Sequence, residues 1–255
     1  MSIALITGAS SGIGKDLAAA LAARGYELLL VARRKDRLTA LAAELKAAHG
    51  TAVTVYSMDL AKPGASAQLE AAVKADGHSV DVLVNNAGFG TNARVVDENR
   101  ESVSDEIQLN IGTLVDLTIA FLPGMVARKS GAVVNIASTA SYQPVPGMAV
   151  YAATKAFVRS FTEAVWGEVP AGVKVFAVSP GATATEFFDI AGAKPSTTLA
   201  PTSEVVDVIL AGLDSTNPAP SVIVGTGNRV MARIARIVPR ATAIKVAGSM
   251  FLPKK

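Results

Sequence analysis

Tyr151 and Lys155 stand four residues apart, and Ser138 precedes the tyrosine by thirteen. A spacing of four puts phenol and ammonium on one face of a helix. A phenol with a pKa near 10 is a poor base at neutral pH, but a neighbouring ammonium favours the phenolate. A shift of about three units would be worth about 4 kcal/mol between the two protonation states. The pair can therefore move a proton. Ser138 closes an apolar, strand-like run, AVVNIAS, so it can meet them if that strand ends beside the helix.

A second cluster lies at the other end of the chain. Thr7 to Gly14 read TGASSGIG, directly after an apolar run and at the start of a helical one. Backbone amides and the helix dipole at such a junction can hold a pyrophosphate, which points to Gly8, Ser10, Ser11, Gly12, Ile13 and Gly14. The glycine spacing departs from G-x-G-x-x-G, so that pattern alone is a weak match. At the end of the second strand, where an acid would bind a ribose 2′-hydroxyl, the residues are Val31, Ala32, Arg33 and Arg34. A guanidinium can pair with a 2′-phosphate, which favours NADP(H) over NAD(H), with Arg33 the leading contact and Arg34 the second. The alternative is that both arginines are solvated surface charge. Asp36 lies beyond the strand and is expected to face solvent.

These residues need a frame. Strand-like runs (IALIT, YELLLVA, AVTVYSM, VDVLVNN, AVVNIAS, VKVFAVSP, SVIVGT) alternate with helical ones near 12–24, 35–49, 65–75, 102–128, 151–168 and 203–213. Alternation of this kind predicts an α/β fold: a doubly wound, Rossmann-type parallel sheet of seven strands flanked by helices on both faces. Residues 1–226 then form one catalytic domain, with a substrate loop at about 185–201, and residues 227–255 a basic amphipathic tail. In a doubly wound sheet ligands bind at the carboxyl ends of the strands, which brings Ser138 and the turn before Tyr151 toward the nucleotide.

With these motifs in order, the chain resembles the short-chain dehydrogenase/reductase family, in its core single-domain NADP(H)-dependent form. The resemblance runs from Ile3 to about Thr185: TGASSGIG, Asp59 with Leu60, NNAG at Asn85–Gly88, Asn110, Ser138, YAATK at Tyr151–Lys155, and PGATAT at Pro180–Thr185. It implies that Tyr151 is the general acid in reduction and base in oxidation, that Ser138 binds the substrate oxygen, that Lys155 holds the ribose, and that Asn110 supports a proton-relay water. It further implies that Asp59 and Leu60 flank the adenine, and that Asn86, Ala87 and Gly88 follow the riboses. Pro180, Gly181, Thr183 and Thr185 would grip the carboxamide and pyrophosphate. Homodimers or homotetramers through the helices near 102–128 and 151–168 are implied as well.

The substrate is not written in these motifs. Phe89, Thr91, Ala140, Tyr142, Val145, Met148, Phe187, Phe188 and Ile190 fall where a pocket should be, and most are apolar. An apolar carbonyl or alcohol compound follows, unless several of these side chains only pack the core. The expected function is an NADP(H)-dependent carbonyl reductase or alcohol dehydrogenase. A sugar-nucleotide epimerase or dehydratase is disfavoured by the glycine spacing and the chain length. An NADP(H)-binding sensor without turnover would more naturally have lost Tyr151 or Lys155.

Half of the 255 residues are hydrophobic and 18% charged, which supplies a sheet buried on both faces and excludes disorder. No cysteine is present, so disulfides, thiolate metal sites and cysteine nucleophiles drop out, and His49 and His78 have no companion ligands, so no metal is expected. The cytoplasm is the expected compartment, since no leader and no apolar stretch of spanning length is read. Residues 215–255 hold seven Lys or Arg and no acid, leaving 17 basic against 21 acidic residues before them. In that tail Arg229, Arg233, Arg236 and Arg240 recur beside an apolar stripe of Val230, Ile234 and Ile237. The preferred reading is packing on the body or a partner subunit, with contact to a membrane surface or an anionic substrate group as alternatives. Nucleic-acid binding is disfavoured, because the charge is confined to the tail with no aromatic stacking platform.

Overall fold

The computed structural model describes residues 2–194 and 198–252; within the expected substrate loop and tail, residues 195–197 and 253–255 lie outside them. Seven strands form one parallel sheet in the order β3-β2-β1-β4-β5-β6-β7. They are β1 Ile3–Thr7, β2 Glu27–Ala32, β3 Val53–Ser57, β4 Val82–Asn85, β5 Gly131–Ile136, β6 Val173–Ser179 and β7 Ser221–Ile223. The inner strands are continuous apolar runs because both faces are covered. Ala4, Ile6, Leu28 and Leu30 pack under one helix layer, with Leu17 and Leu21 of α1 (Gly12–Ala23), Leu38 of α2 (Lys35–His49) and Ile209 of α8 (Thr202–Asp214). Leu5, Leu29 and Val31 face the other, with Leu69 of α3 (Ala65–Ala75), Phe121 of α5 (Leu114–Arg128) and Val165 of α6 (Ala149–Glu168). Strand order reverses between β1 and β4, and a cleft opens there beyond the carboxyl ends.

Four local features differ from the sequence reading. The expected helix over 102–128 is α4 (Arg100–Ile107), a π-helical stretch over Gln108–Thr113, and α5, so the wider turn falls on Asn110. Taken together, Arg100–Arg128 is long and apolar enough to cross a bilayer, which the sequence reading did not find, yet Leu117, Phe121 and Met125 pack it against the sheet. The loop after β6 contains a short helix, α7 (Phe187–Ala191). The tail is two helices, α9 (Thr226–Ile237) and α10 (Arg240–Phe251), separated at Val238 and Pro239, where a proline cannot continue the ladder.

The tail packs on the body, as expected, but not through its apolar stripe. Ala232 and Ala235 of α9 are buried, whereas Val230, Ile234 and Ile237 of the apolar stripe are exposed. Small alanines allow close approach of the helix backbone. At 3.6 residues per turn the branched stripe then lies on nearly the opposite side.

Candidate active site

The nucleotide end is built by close packing. Gly8 and Gly12 take φ of +68° and +54°, a region that disfavours a Cβ. A Cβ on Gly14 would stand 2.5 Å from the Gly8 carbonyl oxygen and 2.6 Å from Asn86 Nδ2. Gly14 thus works one layer behind the cleft wall, letting α1 start tight against β1. Asn86 Nδ2 donates to the carbonyls of Thr7 and Gly8 at 2.9 and 3.3 Å, and Thr7 Oγ1 accepts from the amides of Asn86 and Ala87, both at 3.0 Å. Ser11 caps α1 without a side-chain bond to the helix, and the first turn holds no acid. The amides of that turn are therefore left for an anion, which is the fit a dinucleotide pyrophosphate requires.

Arg33 and Arg34 both line this end of the cleft, but in different states. Arg34 donates to Ser11 Oγ at 2.8 Å and Ser10 Oγ at 3.0 Å, and pairs with Glu186 Oε2 at 2.7 Å. Arg37 takes the other oxygen of Glu186 at 2.6 Å. Hydrogen bonds from Arg37 and then Arg34 hold the Glu186 carboxyl down at about 2, so it is ionised at any working pH. Among the described residues Arg33 makes no ion pair. It is the guanidinium that can meet a phosphate without first leaving a partner. Asp36 is exposed, as expected. Asp59 accepts the amide of Ala61 at 3.1 Å and Leu60 is buried, so both are fixed at the cleft wall.

At the other end Ser138 caps a 3-10 turn, Thr139–Tyr142, by accepting from Ala140 N at 3.1 Å. Tyr151 lies on the first turn of α6, with its hydroxyl close enough to Ser138 for that side chain to favour the phenolate. Lys155 Nζ donates to the Ile136 carbonyl at 2.8 Å and sits 5.9 Å from the centre of the Tyr151 ring. Ser138, Tyr151 and Lys155 therefore converge. Burial pushes the Tyr151 phenol up to about 12, Ser138 lowers it, and the Glu106 charge raises it. Burial brings Lys155 down to about 8, partly countered by Glu106. The sequence reading has the ammonium favouring the phenolate; with the protein's own groups desolvation dominates, the lowering contribution comes from Ser138 rather than Lys155, and the phenol is protonated at neutral pH.

Asn110 is behind the wall. Its amide donates to the Phe89 carbonyl at 2.8 Å and to Thr154 Oγ1 at 3.1 Å, and accepts from Phe89 N at 3.2 Å. Four residues earlier, buried Glu106 accepts from both the amide and the hydroxyl of Thr91 at 3.1 Å. The two side chains staple the 89–91 loop, and Gly90 within it must be glycine: a Cβ would stand 2.7 Å from the Tyr151 ring. Thr91, expected in the pocket, instead turns away toward Glu106 and Glu98. Glu106 itself was not read from the sequence. A single Glu on a helix reads as a solvated charge until the fold shows it buried.

The cleft encloses about 830 Å³, within the range of small-molecule sites. Phe89, Ala140, Tyr142, Val145, Met148, Phe187, Phe188 and Ile190 line it as expected, as do Ile13, Ala87, Gly88, Pro180, Gly181, Thr183 and Thr185. Phe187 packs on Tyr151 with ring centroids 4.9 Å apart, while the Tyr142 ring is covered by the Arg159 guanidinium at 4.3 Å. Further wall comes from the tail: Asn228, Met231, Ala232, Ala235, Met250 and Phe251. No motif announces them, since they reach the site only through the tertiary fold. Asn92 Nδ2 ties the end of α10 down, donating to the carbonyls of Phe251 at 2.8 Å and Gly147 at 3.1 Å.

Comparison with known proteins agrees with this geometry. The sequence pattern of the short chain dehydrogenases matches residues 2–195. A very-long-chain 3-oxoacyl-CoA reductase from Phaeosphaeria nodorum is 34% identical over 86% of the chain and 65% of its own length. The chain spans between half and 65% of the length of the curated reductases of that name that head the matches. Among solved structures, a short-chain dehydrogenase from Sphingobium yanoikuyae in complex with NADPH is 37% identical, with TM-score 0.83 over 93% of this chain and 94% of that one. A bulky-bulky ketone specific alcohol dehydrogenase from Comamonas testosteroni is 32% identical, with TM-score 0.79 over 93% of this chain and 92% of that one.

Proposed function

The chain belongs to the short-chain dehydrogenase family, and from that membership we propose that it is an NADP(H)-dependent carbonyl reductase or alcohol dehydrogenase for a hydrophobic substrate. One observation carries the reading: a single cleft has an open helix N-terminus and Arg33 at one end, and Ser138, Tyr151 and Lys155 together at the other.

When bound, the dinucleotide supplies the hydride that a carbonyl carbon takes up, or receives it from an alcohol carbon. The amides of the first turn of α1 hold its pyrophosphate, and Arg33, joined by Arg34, meets the 2′-phosphate. Asp59 and Leu60 flank the adenine, Asn86, Ala87 and Gly88 follow the riboses, and Pro180 to Thr185 close over the carboxamide end. Lys155, anchored on the Ile136 carbonyl, points to Gly88, where an added Cβ would stand 3.3 Å from Nζ, and binds ribose hydroxyls there. Ser138 and Tyr151 hold the substrate oxygen, and the protonated phenol gives its proton to that oxygen in reduction. In oxidation the same group must lose its proton, which the positive charges of Lys155 and the oxidised nicotinamide favour.

Val145, Met148, Phe187, Met231 and Phe251 give the substrate end an apolar lining, suited to a molecule held by burial and oriented by two hydroxyls. The names of the Comamonas and Phaeosphaeria relatives, a bulky ketone and a long acyl chain, support a large apolar carbonyl compound. The exposed apolar residues Ile119 of α5 and Phe157 of α6 support a homo-oligomer through those helices.

The test is consumption of NADPH, with NADH in parallel, against a panel of aliphatic, aromatic and polycyclic ketones. NADPH is preferred, and Arg33→Ala removes most of that preference. Tyr151→Phe lowers kcat by about 10²–10⁴-fold while NADPH fluorescence still reports binding. Preference for NADH would overturn the 2′-phosphate reading, and undiminished turnover by Tyr151→Phe would overturn the assignment of the acid.

A further inference from the structure

The outward face of α9 has no counterpart in the catalytic reading. Val230, Ile234 and Ile237 are 48%, 45% and 83% exposed on the side away from the buried alanines. On α10, Val246 and Met250 add 48% and 49% exposed apolar side chains. Beside the stripe run Arg229, Arg233 and Arg236, with Arg240 and Lys245 on α10, and no acid occurs after Asp214. At 100° per residue the arginines of α9 lie about a quarter-turn from the stripe, on its flank. An apolar ridge with a basic border is the pattern that inserts at the headgroup boundary of an anionic bilayer.

We propose that the α9–α10 face docks this protein on an anionic membrane surface, as a peripheral contact compatible with a cytoplasmic protein. Charge selects this occupant over a second copy of the chain. A two-fold contact through the same face would set one row of arginines against another with no acid of the segment to answer it. An anionic lipid surface answers every arginine while the ridge leaves water.

The same helices separate that surface from the cleft. Ala232 and Ala235 of α9 and Phe251 of α10 line the cavity, with Met231 and Met250 at its rim, both lining it and 56% and 49% exposed, one residue from exposed Val230, Ile234 and Arg236. Resting on the carbonyl-reductase reading, docking therefore places the apolar end of the cleft next to the phase into which a hydrophobic substrate partitions. The substrate enters past Met231 and Met250 from the bilayer side.

Co-sedimentation with phosphatidylcholine vesicles containing phosphatidylglycerol, and with pure phosphatidylcholine vesicles, tests the docking. The protein sediments with the mixed vesicles at low salt and is released as salt rises. Arg233→Gln with Arg236→Gln weakens binding by about fivefold for each arginine lost. Ile234→Asp with Ile237→Asp abolishes sedimentation. None of these four side chains lines the cleft, so turnover of a small water-soluble ketone, unchanged in both double variants, shows that they fold. No sedimentation with mixed vesicles at low salt overturns the proposal, as does equal binding to pure phosphatidylcholine. A change in sedimentation velocity mass in the Ile variant, without a change in vesicle binding, also overturns it in favour of a second copy. Vesicle binding requires no turnover, so loss of the reductase reading leaves docking standing and removes only the substrate route.

Discussion

Glu106 is fully buried, its Oε2 accepts two hydrogen bonds from Thr91, and its Oε1 has no partner among the described residues. Burial pushes its carboxyl up to about 7 against those two bonds; the Glu98 charge on the neighbouring segment raises it further and Lys155 on α6 lowers it. A folded-state pKa above the unfolded value means that the folded chain holds the proton more tightly. Stability is therefore undiminished below the unfolded value near 4.5 and falls as pH rises toward about 7, above which the full penalty applies. The shift corresponds to about 3 kcal/mol as an order of magnitude. Glu106→Gln keeps an acceptor for Thr91 and removes the ionisation. Its melting temperature relative to the parent should rise by several degrees between pH 5 and pH 8, then level off. A difference that stays flat across that range would show that the carboxyl does not titrate in a buried site.

At the scale of elements, propensity and contact pull in opposite directions at Gly14. It lies inside α1, where alanine is favoured over glycine by about 1 kcal/mol. A Cβ at 2.5 Å from the Gly8 carbonyl cannot be accommodated unless helix and strand separate, and overpacking of this kind costs about 1–3 kcal/mol. Contact wins. Gly14→Ala should lower the melting temperature and weaken NADPH binding together, and a variant as stable as the parent with intact binding would refute the close-packing argument. The glycine motif was legible as a motif, but which glycine faces the ligand and which serves packing needed coordinates. The strands were legible because parallel strands buried on both faces are unbroken apolar runs, as Leu28 to Val31 show. The π turn at Asn110 was not, because a single widened turn within a helical run has no residue-type signal of its own. Helix α10 was missed for a related reason. Its buried residues are Ala243, Ala247 and Gly248, too small to stand out as a periodic stripe.

At the scale of the whole molecule, two of the exposed apolar faces among the described residues differ in charge, and that difference assigns them different proposed partners. On α5, Ile119 is 65% exposed and Val126, seven residues on, is 36%; on α6, Phe157 is 41% exposed and stacks on Phe161 at 5.9 Å. These helices share the sheet layer that buries Leu117, Phe121 and Val165, and both carry exposed apolar side chains outward. Residues 114–128 and 149–168 carry charges of both signs, unlike the tail. A surface without one-sided charge can meet its own copy, as an isologous contact requires. Ile119→Asp should therefore convert an oligomer of the parent chain to a monomer in sedimentation velocity while NADPH binding and vesicle binding persist. Ile234→Asp with Ile237→Asp should do the reverse, abolishing vesicle binding at unchanged mass. A parent chain that already sediments as a monomer at micromolar concentration, or an Ile119→Asp variant of undiminished mass, would remove α5 and α6 as the subunit interface.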